Sequence, residues 1–418
     1  MDRQVTRTGA VLRDDALSPP ALWRQTTSSV LSAVRRAAPQ PQRIAELVRA
    51  TGLTRPTVAQ AVEELMGEGL IVVEAPAGQG RIGRPAVRVR LDGLAAPVLG
   101  IDVGVHSVAA SVADLTGQRL SLRRLAVAGA GNEAMVAALD TVIAEALSEA
   151  GIARTALASV AAGCPGIVDA EVGRITLRTD EGQWSSFDLL RYLRRACACP
   201  IRLENNANLV ASAVFAARAD APHTLLAVQW GERLGAGIVI EGRLHRGATL
   251  AAGEIGFIRP EGSSPRLGMT EDGPLESAIG SGGIVRRARV AAAADPTSTL
   301  GALLGRSSTP ADAAKVFEAA ADGDAAAVAV VDDVARLFSA AVAPIVLALD
   351  PDALVIGGGV ARAGGLLTEA IQRHLSGLTL HTPTVELSPL AQDAVIAGAI
   401  LSALDDVWQR LLSRSELG

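Results

Sequence analysis

The stretch Leu203-Glu204-Asn205-Asn206-Ala207-Asn208-Leu209 gathers one carboxylate and three amides where the sequence enters a helix. An asparagine amide offers two N–H donors and a carbonyl acceptor, a good match for vicinal hydroxyls, but it takes up no proton near neutral pH. These residues therefore suit recognition better than acid–base chemistry. A plainer reading stands beside that one: asparagine at a helix start is ordinarily a cap, and Asn205 fits the role. Elsewhere, His106, His223, His245, His374 and His381 show no metal-ligand spacing. Cys164, Cys197 and Cys199 are too few and too poorly spaced for a disulfide framework or a four-ligand zinc site. We expect no metal and no cofactor.

A second set of candidates belongs to a polyanion. Residues 1–90 hold 13 arginines and 8 acids, whereas the whole chain carries a net charge of −5. A basic head on an acidic body implies that only the head meets nucleic acid. Residues 1–21 read as a disordered lead, and residues 22–37 as a helix with Leu22, Val30, Leu31 and Val34 on one face. Ile44, Leu47 and Val48 then make an apolar stripe, Thr51-Gly52-Leu53 a tight turn, and Thr54 the cap of the next helix, with Pro56 in its first turn. Val58, Val62 and Leu65 point inward, so Thr54, Arg55, Thr57 and Gln60 are free to face a major groove. Strands from Gly69 and from Ala86 flank a Gly-rich loop whose Arg81 and Arg84 would reach a minor groove. Helix, turn, helix, strand, arginine loop and strand predict a winged helix-turn-helix over residues 22–91 that binds a double-stranded DNA operator. The blander alternative is a small helical dimerisation module.

At 418 residues the chain is long enough for two to four domains. Apolar residues make up 49% but aromatics only 2%, so alanine, valine and leucine must fill the cores. The first residues lack the apolar core of a signal peptide. The longest apolar run, around Ala340 to Leu349, contains Pro344 and is too short to cross a bilayer. We expect a cytoplasmic protein with no membrane partner.

Past a short linker at 91–97, VLGIDVGVHSVAASVADLTGQRL reads as strand, glycine loop, strand and turn, and LLAVQWGERLGAGIVIEGRL repeats that plan. That repeat implies two related lobes, with a chance likeness of two glycine loops as the plainer reading.

Asp102-Val103-Gly104, Gly163-Cys164-Pro165-Gly166-Ile167-Val168-Asp169, Glu204-Asn205-Asn206-Ala207-Asn208, Gly235-Ala236-Gly237-Ile238-Val239, Gly253-Glu254-Ile255-Gly256 and Gly357-Gly358-Gly359 occur in an order that resembles the ROK family of repressors, open reading frames and sugar kinases. With the winged head in front, the chain is similar to ROK transcriptional regulators of the NagC/XylR type. The resemblance implies an α/β fold: a winged helix-turn-helix followed by a two-lobed, actin-like ATPase (ribonuclease H-like) sugar-kinase-type body. It places lobe 1 at 98–205 with a return from about 394 to 418, and lobe 2 at 206–393.

Residue by residue, the resemblance puts Asn206 where kinase members carry an aspartate base, and Val105 and His106 in the first phosphate loop in place of small and hydroxyl residues. Arg233 stands where a glycine is usual in the second loop, able either to attract a phosphate or to fill the cleft. Catalysis should then be absent, while Asn205, Asn206, Glu254 and Glu276 fall where the family holds its sugar. Phe257 replaces a histidine that touches sugar and metal; it either stacks on a pyranose or marks a changed ligand class. Leu267 to Pro274 lacks the cysteines of the family's zinc cluster. Trp184 lies in a loop that borders the cleft in relatives, as a cover, a rim or a core residue. The expected protein is a non-enzymatic, sugar- or sugar-phosphate-responsive repressor acting as a homodimer or dimer of dimers. The runner-up is an ATP-dependent sugar kinase with a DNA-binding head, and the third reading a regulator with a vestigial cleft.

Overall fold

Val30, Leu31 and Val34 recur at helical spacing and are buried together, which sets one face of the first helix, α1 (Pro19–Ala37), against its neighbours. The computed structural model describes residues 19–74, 87–104, 107–127, 131–169, 174–176, 187–218, 222–260, 273–304 and 312–413. They fall into two units: a head, made of residues up to Ala95 together with those from Val407 onward, and a body from Ala96 to Asp406.

In the head, α1 is followed by β1 (Gln42–Arg43), α2 (Ile44–Thr51), α3 (Arg55–Gly67), β2 (Ile71–Glu74) and β3 (Arg88–Leu91). The backbone N–H of Arg43 donates to Glu46 Oε2 at 2.7 Å and anchors the start of α2. Gly52, with φ of 72°, ends it, its N–H donating to Val48 O. Thr54 occupies the cap position of α3, but its hydroxyl meets the Thr57 hydroxyl at 2.7 Å and not the helix backbone. Pro56, in the first turn, removes one of the N–H groups that a cap would bind. Strands β2 and β3 pair antiparallel, Ile71 opposite Leu91, and the short β1 adds a third strand beside β3. The loop with Arg81 and Arg84 lies outside the described residues. Two contacts tie α1 to the far end of the chain. The Arg35 guanidinium sits 4.5 Å from the centroid of the Trp408 ring, and Ser28 Oγ donates to Leu412 O.

The body opens with the antiparallel strands β4 (Val98–Val103), β5 (Ser107–Ala113) and β6 (Arg119–Ala126), then α4 (Asn132–Ala150) and β7 (Ser159–Cys164). A small hairpin, β8 (Ile167–Asp169) with β9 (Arg174–Thr176), precedes α5 (Leu189–Ala196), β10 (Ile201–Asn205) and α6 (Asn206–Ala216). The first sheet runs β10-β7-β4-β5-β6, with β4, β7 and β10 parallel. A second set follows: β11 (Thr224–Trp230), β12 (Leu234–Ile240), β13 (Arg243–His245), α7 (Pro274–Ile279), α8 (Ser281–Ala294), α9 (Thr299–Leu304), α10 (Ala313–Ala321), α11 (Ala325–Leu349), β14 (Ala353–Gly357), α12 (Gly365–Ser376), β15 (Thr384–Leu387) and α13 (Ala394–Ser413). Its sheet runs β13-β12-β11-β14-β15, again three antiparallel strands continued by two parallel ones. The repeat read from the two glycine-loop hairpins is therefore a repeat of strand order.

With few aromatics, the cores close on small side chains. Among the described residues, Trp230 is the largest fully buried one; it stacks on Phe338 at 4.5 Å between ring centroids and donates its indole N–H to Ile279 O. The first sheet packs on α4 and α5. Helix α6 reaches the second sheet through Ala207 and Ala211, whose atoms a Cβ on Gly237 of β12 would strike. Residue 398 in α13 is a glycine because the Leu209 backbone occupies the space of its missing side chain. Among the described residues, no helix is long and apolar enough to cross a membrane.

Candidate functional site

Strand β10 ends and α6 begins within two residues, and that junction explains the amide cluster. Asn205 is the cap of α6: its Oδ1 accepts from the backbone N–H of Ala207 at 2.7 Å and of Asn208 at 3.3 Å, while its Nδ2 donates to Gly166 O at 2.8 Å. Glu204 is buried and takes four bonds. The Asn205 N–H and Asn208 Nδ2 donate to Oε1, and Arg246 Nε and Nη2 donate to Oε2 at 2.9 and 2.7 Å. A buried carboxylate is stable only when paired and fully bonded, and Arg246 together with Asn208 meets that condition. Glu204 and Asn208 thus hold the junction rigid, and Asn205 both caps the helix and edges the cleft.

Asn206 is the next residue. Its Nδ2 donates to Val103 O at 3.4 Å, whereas its Oδ1 is buried beside Gly163 with no donor. The amide is turned onto the backbone of the first sheet, across the end of β4. The donor end of the amide thus meets the Val103 carbonyl.

Both sheets line a cleft of about 200 Å³. Gly104, Pro165, Gly166, Asn205 and Asn206 lie on its walls with Gln229, Arg233, Glu254, Phe257 and Glu276. Glu276, in the first turn of α7, is committed to the second glycine loop: its Oε1 accepts from Arg233 Nη1 at 3.0 Å and its Oε2 from the Leu234 N–H at 2.7 Å. Arg233 accordingly grips a carboxylate of the protein. Glu254 precedes a single 3₁₀ turn at Ile255–Phe257, and burial, with the neighbouring charge of Glu276, pushes its carboxyl up to about 7. Phe257 is half-buried on the wall, where an apolar ring face is available to a ligand. The four acceptor and amide residues named from the sequence, with Phe257, therefore line one cleft. Gln229 was not among them. Its Oε1 is buried without a partner, and the signal for it was a lone polar side chain inside the apolar strand TLLAVQW. Arg246, which clamps Glu204, carried no sequence signal.

Beyond the cleft, Asp102 ends β4 beside the first glycine loop. Arg124 of β6 approaches it to 3.7 Å and reaches Asp393 as well, while burial raises the Asp102 carboxyl to about 6. Val105, His106, Trp184 and residues 267–272 lie outside the described residues. Among the described residues, no group of three His, Cys, Asp or Glu side chains is arranged to hold a metal. Cys164 and Cys197 are buried thiols outside any disulfide. On the head, Thr54, Arg55 and Gln60 are exposed and Thr57 is half-buried on one side of α3, opposite Val58, Ala61, Val62 and Leu65 in the core.

Two lobes of one strand plan around a cleft, carried on the same chain as a winged helix-turn-helix, define a sugar-kinase-type body joined to a DNA-binding head. The ROK family profile matches residues 98–405 and the MarR family profile residues 24–82; the chain belongs to the ROK family. A putative xylose repressor of Caldicellulosiruptor sp. is 25% identical over 371 residues, covering 87% of this chain and 92% of its own. A glucokinase of Halalkalibacterium halodurans is 33% identical over 252 residues, 58% of this chain and 74% of its own. The crystal structure of a ROK family transcriptional regulator, a homolog of the E. coli MLC protein, superimposes with a TM-score of 0.74 at 22% identity, covering 94% of this chain and 99% of that one.

Proposed function

We propose that this protein is a sugar-responsive transcriptional repressor whose body binds its effector in the cleft without phosphorylating it. The observation that carries the reading is the pairing, in one chain, of a MarR-type head with a ROK body, together with a likeness along most of its length to a relative named a putative xylose repressor. Arg55, Thr57 and Gln60 of α3 read the major groove, and Arg81 and Arg84 add phosphate or minor-groove contacts. Effector contacts come from Asn206, Glu254 and Phe257, with Glu276 holding the second loop in place. A homodimer in the cytoplasm presents paired heads to an operator with two half-sites. Because coupling between sites is reciprocal, a sugar that weakens DNA binding is itself bound more weakly by the DNA complex. The test is selection of a binding sequence from random duplexes with the full chain, followed by fluorescence anisotropy with and without D-xylose and D-glucose. No selected sequence, or one whose affinity ignores salt, overturns the reading.

A second reading, sugar phosphorylation, is favoured by the likeness to a glucokinase. Asn206 argues against it, since its amide accepts no proton from a sugar hydroxyl. A coupled ADP-release assay with hexoses and pentoses decides. Turnover that disappears in Asn206→Ala would establish a kinase.

A further inference from the structure

Helix α6 borders two spaces in the body. Its first residues edge the cleft, and about two turns further on Ala213 and Ala216 line a separate pocket of about 520 Å³. Ile396, Ile400 and Leu404 of α13 and Leu390 in the turn before it make the rest of its walls. Apart from Arg119 and Asp393, which are joined at 2.7 Å, every described residue lining the pocket is glycine, proline or aliphatic. Packed interiors leave few voids larger than a water molecule, whereas this space falls in the ~300–1,000 Å³ range of small-molecule sites. Its walls are held apart. Ile400 sits so close to β4 that a Cβ at Gly100 would stand 2.9 Å from its Cγ1, and the Leu209 backbone occupies the place of a side chain at residue 398. Two glycine contacts thus seat α13 on β4 and on α6, and the alanines of α6 are too short to fill what remains. The turn between Leu390 and Asp393 is strained as well, since Ala391 takes a φ of 47°. At the rim the charges balance: Asp393 accepts from Arg119 and lies 3.5 Å from Arg124, which approaches Asp102 to 3.7 Å. Two guanidiniums against two carboxylates draw no ion, and a charged ligand group would have to leave water for apolar walls. Arg119 commits its Nη1 to Asp393, and a guanidinium with five N–H donors has others to offer an oxygen.

We propose that this pocket is a second ligand site of the body, separate from the cleft, and that it takes an uncharged, largely apolar small molecule with one carbonyl or hydroxyl oxygen for Arg119. The apolar part of such a molecule leaves water for the aliphatic walls of α6 and α13. Its oxygen accepts from the Arg119 guanidinium without displacing Asp393. The site also has a route to the cleft. Asp393, Arg124 and Asp102 form a chain of charges from the pocket rim to the end of β4, beside the first glycine loop, and an occupant at Arg119 touches the near end of that chain. The inference stands whether or not the cleft holds a sugar.

The test is fluorescence titration of the full chain with Nile red, an uncharged apolar dye that carries a carbonyl oxygen. The expected result is saturable, blue-shifted binding of about one dye per chain that an excess of D-xylose or D-glucose does not displace. Absence of saturable binding means that the chain's own residues or a second copy cover the pocket, and it overturns the proposal. Displacement by either sugar puts the dye in the cleft and overturns it equally. Ala216→Leu and Ala217→Leu, at exposed positions on the pocket wall, should each fill the space and weaken the dye by at least about tenfold at an unchanged melting temperature, while Ala216→Ser keeps it. Parent affinity in both leucine variants removes the dye from this pocket. Arg119→Met should weaken Nile red by about tenfold, and an unchanged affinity would exclude the guanidinium from the site. Anilinonaphthalene sulfonate, an apolar anion, should bind at least about tenfold more weakly than Nile red, and equal affinity overturns the requirement for an uncharged ligand.

Discussion

Asn206 Oδ1 rests against the backbone of Gly163 so closely that a Cβ at residue 163 would stand 2.5 Å from it. The same Cβ would meet Val395 Cγ1 at 2.7 Å and Leu209 Cδ1 at 2.8 Å, so three elements, α6, β7 and α13, converge on the absence of one side chain. Gly163→Ala should therefore overpack the site and destabilise the body by ~1–3 kcal/mol, with an amide displaced from Val103. Thermal melting should show a fall of several degrees, and sugar affinity should drop with it. A variant with unchanged melting temperature and affinity would mean that Asn206 does not need this space.

Glu254 gives the body a pH dependence of definite sign. Its carboxyl is raised from 4.5 to about 7, so between those values the folded protein binds more protons than the unfolded chain, and stability falls as pH rises through that window. Above neutrality the full penalty is present, on the order of 2 kcal/mol once solvent at the cleft mouth is allowed for. Glu254→Gln should be more stable than the parent at pH 8 and nearly equal to it at pH 5. Asp102, raised to about 6, slopes in the same direction and remains in both proteins, so urea titrations of the pair at the two pH values isolate residue 254.

On the head, Gln60 and Arg55 are exposed, and their removal should leave folding within ~0.5 kcal/mol of the parent. Gln60→Ala should cost ~1–3 kcal/mol on the selected operator and relax preference at one base pair. Arg55→Ala should weaken all duplexes alike and flatten the salt dependence. Anisotropy titrations at several salt concentrations separate the two behaviours; equal loss on specific and random DNA for Gln60→Ala would assign it to the backbone instead.

Trp408 is 3% exposed, and the guanidinium of Arg35 covers its ring. Trp408→Ala should open a cavity worth ~3–5 kcal/mol locally. Arg35→Met, which keeps an aliphatic stem, should cost only ~0.5–1 kcal/mol. Hydrogen exchange read by mass spectrometry should show α1 losing protection in Trp408→Ala while β4 and β7 keep theirs. Unchanged protection in α1 would remove Trp408 from the head's core.

Much of this architecture is legible in the chain. The period-3.6 stripes around Leu47 and Val62, the glycine at 52 and the paired strands of the head are local signals, each fixed by a few adjacent residues. The doubled glycine-loop hairpin announced two lobes, and the ordered small-residue motifs placed Asn206, Glu254, Phe257 and Glu276 on one cleft. The use to which each side chain is put was less accessible, because it depends on partners distant in sequence. Nothing around Glu276 foretells that Arg233, 43 residues earlier, will occupy it. Nothing around Glu204 points to Arg246, and that Asn205 caps α6 while also edging the cleft is read only from its three bonds and its place on the wall. Helix α13 reads as one uniform amphipathic segment, so its division at Val407 between body and head left no trace in composition.

That division bears on how the molecule comes to exist. A ribosome releases the three helices and the strands of the DNA reader first, yet the tryptophan that completes their core is added more than three hundred residues later. The core of the head is thus closed only after residues 96–406, a unit of their own, have been made.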